Sequence, residues 1–181
     1  MAPRRWAAEL LHVWFHVLRP ADWYRGGDAV DALLRRRFAG DLAMLRLRPA
    51  AEFLSDPLTA RAAILLFDQV PRNIHRESVR SFDTDPLARQ IAFGVIANGW
   101  DLAAPARERQ FIYMPLMHSE AIADQRASLA VFAASAPANI GFARAHHRMI
   151  ARFGRFPHRN AVLGRTSSAA EQQAVADGFS W

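Results

Sequence analysis

Apolar positions along this chain recur at three- and four-residue intervals almost from end to end, and no run of strand length alternates apolar with polar residues. Such spacing predicts helices near 5–18, 28–47, 105–114, 117–134 and 138–153, with a short one near 168–176. Two more are marked by their punctuation. Asp56-Pro57 and Asp85-Pro86 each set a capping carboxylate before a proline suited to a first helical turn, and Asn98-Gly99 gives the second of these helices a left-handed exit. Between the two, Pro71 within DQVPRNIHRES is expected to stop the helix, and the polar run to form a loop reaching Ser81 and Phe82. The expected fold is all-α, antiparallel helix pairs joined by short loops, in a single domain spanning 1–181.

Composition narrows the chemistry more than the fold. With 181 residues and 51% apolar content, the chain can bury one full core. Its 23 basic residues are all arginine, and cysteine is absent. That excludes a thiol nucleophile, a disulfide framework, a lysine Schiff base and a phosphate-loop lysine. Asp, Glu, His, Ser, Thr, Tyr and Arg remain as actors. A net charge of +6 raises the question of nucleic acid, but the arginines are scattered apart from Arg35, Arg36 and Arg37, and no zinc-finger or RNA-recognition signature occurs. No nucleic-acid partner is therefore expected. The opening MAPRRWAAELLHVWFHVLRP superficially resembles a signal peptide, yet Glu9, His12 and His16 interrupt its apolar middle and no small-residue cleavage site follows. It reads as an amphipathic first helix. No apolar run approaches the ~18 residues of a membrane span, so a cytoplasmic location is expected.

Three polar clusters stand out. The first, RFGRFPHRNAVLGR at 152–165, sets four arginines, a histidine and an asparagine around two glycines and a proline. Gly154 and Pro157 would fix a turn from which Arg155, His158, Arg159 and Asn160 present directional hydrogen bonds to an anion. The helix leading into it carries Phe142, His146, Met149, Ile150 and Phe153 on one stripe, which turns His146 inward. The second cluster, MHSEAIADQ, is read as a helix start. There Glu120 and Asp124 lie four apart on one face, with His118 and Gln125 on the neighbouring one. Repulsion between the two carboxylates would raise one pKa toward a range useful for proton transfer. No ligand spacing such as HExxH accompanies them, so no metal is expected, and no motif names a cofactor. The third cluster, FDQVPRN, places Asp68 and Gln69 after an apolar run and Arg72 and Asn73 after Pro71. A carboxylate following Ile64-Leu65-Leu66-Phe67 is expected to be buried and to need a cationic partner, for which the arginines of 152–165 are candidates.

These elements, with Trp14-Phe15 near the start, resemble those of the bacterial domain of unknown function 924 family. That family shows an early Trp-Phe pair, a DQFPRN segment, a helix opening of the form LPxMHSE followed by DQ, and a terminal RFGRFPHRNxxLGR. Here they stand as Trp14-Phe15, FDQVPRN at 67–73, MPLMHSE at 114–120 with Asp124-Gln125, and RFGRFPHRNAVLGR at 152–165. The resemblance implies a helical, tetratricopeptide-like arrangement and assigns no activity. Val70 departs from an aromatic usual at its place, and Ala121 stands where an acidic residue often follows HSE.

The favoured functional expectation is a polar, arginine-rich pocket for a small anionic metabolite. Its ligand-binding candidates are Gln69, Arg72, Asn73, Asp124, Gln125, His146, Arg155, Arg159 and Asn160. Hydrolytic or other acid/base chemistry would use Asp68 or Glu120 as base and His118 or His158 as acid. The alternative from a different class is a helical-repeat module that receives a protein partner.

Overall fold

Capping chemistry acts where the Asp-Pro pairs place it, though not identically. In the computed structural model, which describes residues 4–179, the Asp56 carboxylate accepts the backbone N–H groups of Leu58 and Thr59 at 3.0 and 2.8 Å, and Pro57 opens helix α4, Pro57–Ile64. At the second pair the helix, α6 (Asp85–Ala97), begins on Asp85 itself, whose carboxylate instead takes a bidentate pair from Arg72. Gly99 takes the left-handed conformation at φ 67° that ends this helix, as its glycine foretells.

The fold is all-α: among the described residues every regular element is helical and no strand occurs. Among the described residues no helix is long and apolar enough to cross a membrane. The chain forms two compact units, Met1–Ala104 and Pro105–Trp181. In the first, α1 (Arg5–His12) runs on through a π turn at Val13–Val17, followed by α2 (Pro20–Arg25), α3 (Asp28–Leu45), α4, α5 (Val70–Ile74) and α6. Helix α4 packs on α1 and α6, and α3 packs on α5. Its aromatic core includes Phe53 edge-on to Phe67 at 5.1 Å. In the second unit α8 (Ile122–Ser135) packs against α7 (Ala106–Met117) on one side and α9 (Ile140–Phe153) on the other, with α10 (Ala169–Ala176) following the arginine-rich motif. Ser168 and Glu171 close a reciprocal capping box on α10. Met149, Ile150, Phe156 and Ala174 form a small core there, flanked by Phe153 and Phe179.

Two prolines overturn boundaries expected from sequence. Pro71 does not stop its helix: the chain passes from α4 through a π turn, Leu65–Gln69, directly into α5, which ends at Ile74. The wider turn shifts the hydrogen-bond register just ahead of the ring, and side chains then serve the carbonyls it leaves. Thr84 Oγ1 donates to Phe67 O at 2.6 Å, Arg72 Nη1 to Asp68 O, and Asn73 Nδ2 to Gln69 O at 3.0 Å. Pro115 likewise sits inside α7, which continues to Met117. Consequently 118–121 is a turn, α8 begins only at Ile122, and Glu120 and Asp124 do not share a helical face. On α9 the buried positions are Ala143, His146, Met149 and Ile150, whereas Phe142, expected on the inward stripe, is 53% exposed.

Candidate functional site

Within the first unit the FDQVPRN segment builds an ion-pair network. Asp68 is fully buried, and the arginine that meets it is Arg72, one turn further on, at 3.3 Å. Arg72 also spans Asp85 with two bonds of 2.8 and 2.9 Å and lies over the Phe82 ring at 5.7 Å. Burial works against its charge, but Asp68 and Asp85 outweigh that and raise its pKa. Gln69 Nε2 donates to the Asp68 carboxylate. Asn73 Oδ1 accepts from Arg76 at 3.1 Å, and Arg76 in turn pairs with Asp31 at 2.9 Å. Gly26, at φ 58°, makes room for this, because a Cβ there would stand 1.8 Å from Arg76 Nη2.

In the second unit the α7–α8 turn and the arginine-rich motif come together. Gln125, fully buried, donates to Met117 O and Ser119 O at 2.6 and 2.7 Å, while Ser119 Oγ donates to Asp124 at 2.6 Å. These contacts shape the turn that carries His118 and Glu120. The Glu120 carboxylate takes two bonds from Arg165, both 2.9 Å, and the backbone N–H of Phe156 at 2.8 Å. Partial burial opposes its charge. The Arg165 and Phe156 hydrogen bonds and the charges of Arg165 and Arg159 prevail, and hold it below the usual carboxylate range. The raised carboxylate pKa expected from a Glu120–Asp124 pair is thus reversed, because the helix that would have paired them starts after Glu120.

Phe156, fully buried, is the hub of this region. Its ring lies 5.4 Å from His146 and 5.6 Å from His158, and the Arg159 guanidinium stands 4.5 Å over it. His118 lies 6.0 Å from His146. Gly154, left-handed at φ 69°, ends α9 and turns the chain so that the 3₁₀ turn Pro157–Arg159 brings these groups back onto the helix. His146 is only 4% exposed, and its Nδ1 lies 2.9 Å from the carbonyl of Phe142. A carbonyl only accepts, so Nδ1 carries the proton and Nε2 is the ring's acceptor. Burial, then the charge of His118, with further contributions from Arg159 and His158, push the His146 pKa down to about 3. Its ring is neutral at physiological pH.

Arg155 and Asn160 face the C-terminal segment instead. Arg155 spans Glu171 at 2.6 and 2.9 Å and donates to Thr166 O at 2.9 Å, and Asn160 Nδ2 donates to Ser167 Oγ at 3.0 Å. The Arg155 bonds, with those of Ser168 and Asn160, bring Glu171 down to about 2. Among the described residues no three His, Asp or Glu side chains gather closely enough to hold a metal ion. Sequence reasoning missed Phe156, Arg165, Asp85 and Thr84. The first two lay inside the arginine-rich motif, where a fully apolar ring between polar neighbours and a last arginine after glycine were the available signals.

A solved structure of a protein of unknown function from Agrobacterium tumefaciens is similar throughout. The two chains are 32% identical, the match covers 95% of this chain and 97% of the other, and the TM-score is 0.89. Among curated proteins none matches. The model of a family described as bacterial protein of unknown function (DUF924) matches residues 10–178. With nearly the whole chain inside that match and the FDQVPRN, MHSE and RFGRFPHRN segments each building a defined part of the fold, the chain belongs to the DUF924 family.

Proposed function

We propose that the second unit binds a small anion beside Phe156, with Arg159 as the charged clamp and His118 and His158 as hydrogen-bonding walls. The observation that carries this reading is the gathering of His146, His158 and Arg159 about the buried Phe156 ring, with His118 next to His146, where His146 is kept neutral. Burial is the main reason that His146 stays neutral; the charges of His118, Arg159 and His158 add to it, and it is those charges that favour a negative ligand. Glu120, on the α7–α8 turn, spends both carboxylate oxygens on Arg165 and offsets Arg159 only through its longer-range charge. A groove of about 380 Å³ opens against His158, floored by Pro157, Ala161 and Val175, and accommodates the body of a metabolite-sized ligand.

Acid/base chemistry on that ligand falls to His118 and His158, both half-buried and within reach of water. Glu120, ionised and held on both oxygens, serves as an anchor of the turn. Asp68, Gln69, Arg72 and Asn73 act as the fastening of the π turn in the first unit.

The test is calorimetric titration with inorganic phosphate, sulfate and citrate at matched ionic strength. At least one of the three binds, and Arg159→Gln weakens it by about tenfold or more, the scale of one charge-assisted contact. Because Arg159 is buried, His158→Gln provides a second variant with a milder structural burden. Binding unchanged in both folded variants would place the anion elsewhere and end this reading.

A further inference from the structure

The outward face of α9 carries a second feature, separate from the histidine cluster. Arg144, Arg148 and Arg152 follow one another at four-residue intervals and all are exposed. Successive members are therefore about 6 Å apart along the helix axis. Like charges at this spacing repel, and no carboxylate pairs with any of the three among the described residues. Elsewhere the protein pairs its arginines readily, as Arg72, Arg76, Arg155 and Arg165 show. The ladder is a run of like charge along one helix face in a chain whose net charge is +6.

Two grooves flank it. One of about 540 Å³ is lined by Arg148, Arg152, Met149, Ala151 and Phe179, and one of about 380 Å³ by Leu129, Gly141 and Arg144. His147 and Arg148 border both, so the two are continuous along the helix. Arg148 stands over the Phe179 ring at 5.6 Å and Arg152 over Phe153 at 4.8 Å. Rings beneath the guanidinium groups limit their freedom in advance, which reduces the entropy lost when a partner is bound.

We infer that this face is a docking surface for an acidic amphipathic helix of a partner protein, its carboxylates spaced one turn apart opposite Arg144, Arg148 and Arg152 and its apolar side chains seated in the flanking grooves. Charge complementarity selects an acidic partner, and the apolar groove floors select side chains over a phosphate backbone. A nucleic acid would satisfy the arginines and make no use of the apolar parts of Leu129 and Phe179 that line the grooves. A helix supplies both kinds of contact at the matching one-turn period.

The experiment is fluorescence anisotropy on the full chain with a labelled synthetic helix bearing glutamates at i, i+4 and i+8 and leucines on the adjoining face. A peptide of the same composition in permuted order and a labelled oligonucleotide are the comparisons. The patterned helix binds about tenfold more tightly than the permuted peptide, and Arg148→Glu abolishes the difference. The same substitution turns two repulsive one-turn pairs into attractive ones and gives up the Arg148–Phe179 ring contact, so the thermal midpoint stays close to the parent's while binding is lost. Arg144→Gln, which leaves both ring contacts in place, weakens binding by a smaller factor. Equal binding of the two peptides overturns the inference. So does tighter, arginine-dependent binding of the oligonucleotide, or a charge-reversed variant that binds the patterned helix as before.

Discussion

At the scale of single residues, Glu120 shows how a local spacing rule misleads when an element boundary moves. Its distance from Asp124 in sequence suggests two repelling carboxylates on a helix. Helix α8 starts too late for that, and Glu120 reaches instead to Arg165 and the Phe156 N–H. Removing its charge leaves Arg165 without a counterion and weakens three hydrogen bonds, at a cost of ~1–3 kcal/mol. Glu120→Gln is therefore expected to lower the thermal midpoint by roughly 3–10 °C for a chain of this size. Thermal unfolding followed by circular dichroism checks it, and a variant within experimental error of the parent would mean that the clasp contributes nothing. What was legible in the sequence was the inward face of His146 and the left-handed turn at Gly154, since both follow from periodicity and glycine chemistry. The partner of Glu120 was not, because a contact across 45 positions leaves no periodic trace.

Elements tell a related story about proline. An isolated proline in a helical pattern predicts a break, and at Pro71 that rule fails for a reason the sequence holds only in dispersed form. The π turn at Leu65–Gln69 is tolerated because Thr84, Arg72 and Asn73 each donate to one of three successive carbonyls. Two of those donors, Arg72 and Asn73, lie within two positions of the proline, in a run whose polarity suggests a loop. Thr84 lies 17 positions away. Thr84→Val keeps the side-chain shape, strands the buried Phe67 carbonyl, and is expected to destabilise the protein by about 1–3 kcal/mol. Hydrogen exchange provides the local readout. The amides of α5 should lose protection more than those of α6, and uniform loss across both would show that the carbonyl has no particular need of Thr84. Helix content, most helix centres and the Asp56 cap were all readable beforehand. Each depends on contacts within a turn or two, whereas the π turn depends on a partner from another element.

For the whole molecule, the buried histidine and the paired carboxylates act in the same direction on acid stability. The His146 pKa is about 3 in the folded chain against an ordinary 6.5, so below pH 6.5 the unfolded chain takes up a proton that the folded one refuses. Its contribution is complete above pH 6.5 and is lost progressively as pH falls toward 3, by at most ~1.4 kcal/mol per pH unit. Glu171, brought from 4.5 to about 2, and Glu120, also lowered, add their losses only once pH drops below about 4.5, where the unfolded carboxylates begin to protonate. His75, whose pKa burial and the charges of Arg80 and Arg35 also lower, acts in the same direction, so acid destabilisation comes in two stages, the first set by these two imidazoles and the second by the carboxylates. A net charge of +6 at neutral pH grows as pH falls, and that repulsion slopes the curve as well. Comparing the parent with His146→Phe separates the two effects, since the variant keeps an aromatic ring against Phe156 and nearly the same total charge. Unfolding free energies measured from pH 8 to 4 should fall for the parent between 6.5 and 4.5 while those of the variant stay flatter over that window. Parallel curves would assign the slope to general repulsion and leave the neutral His146, and the positive surroundings inferred from it, without thermodynamic support.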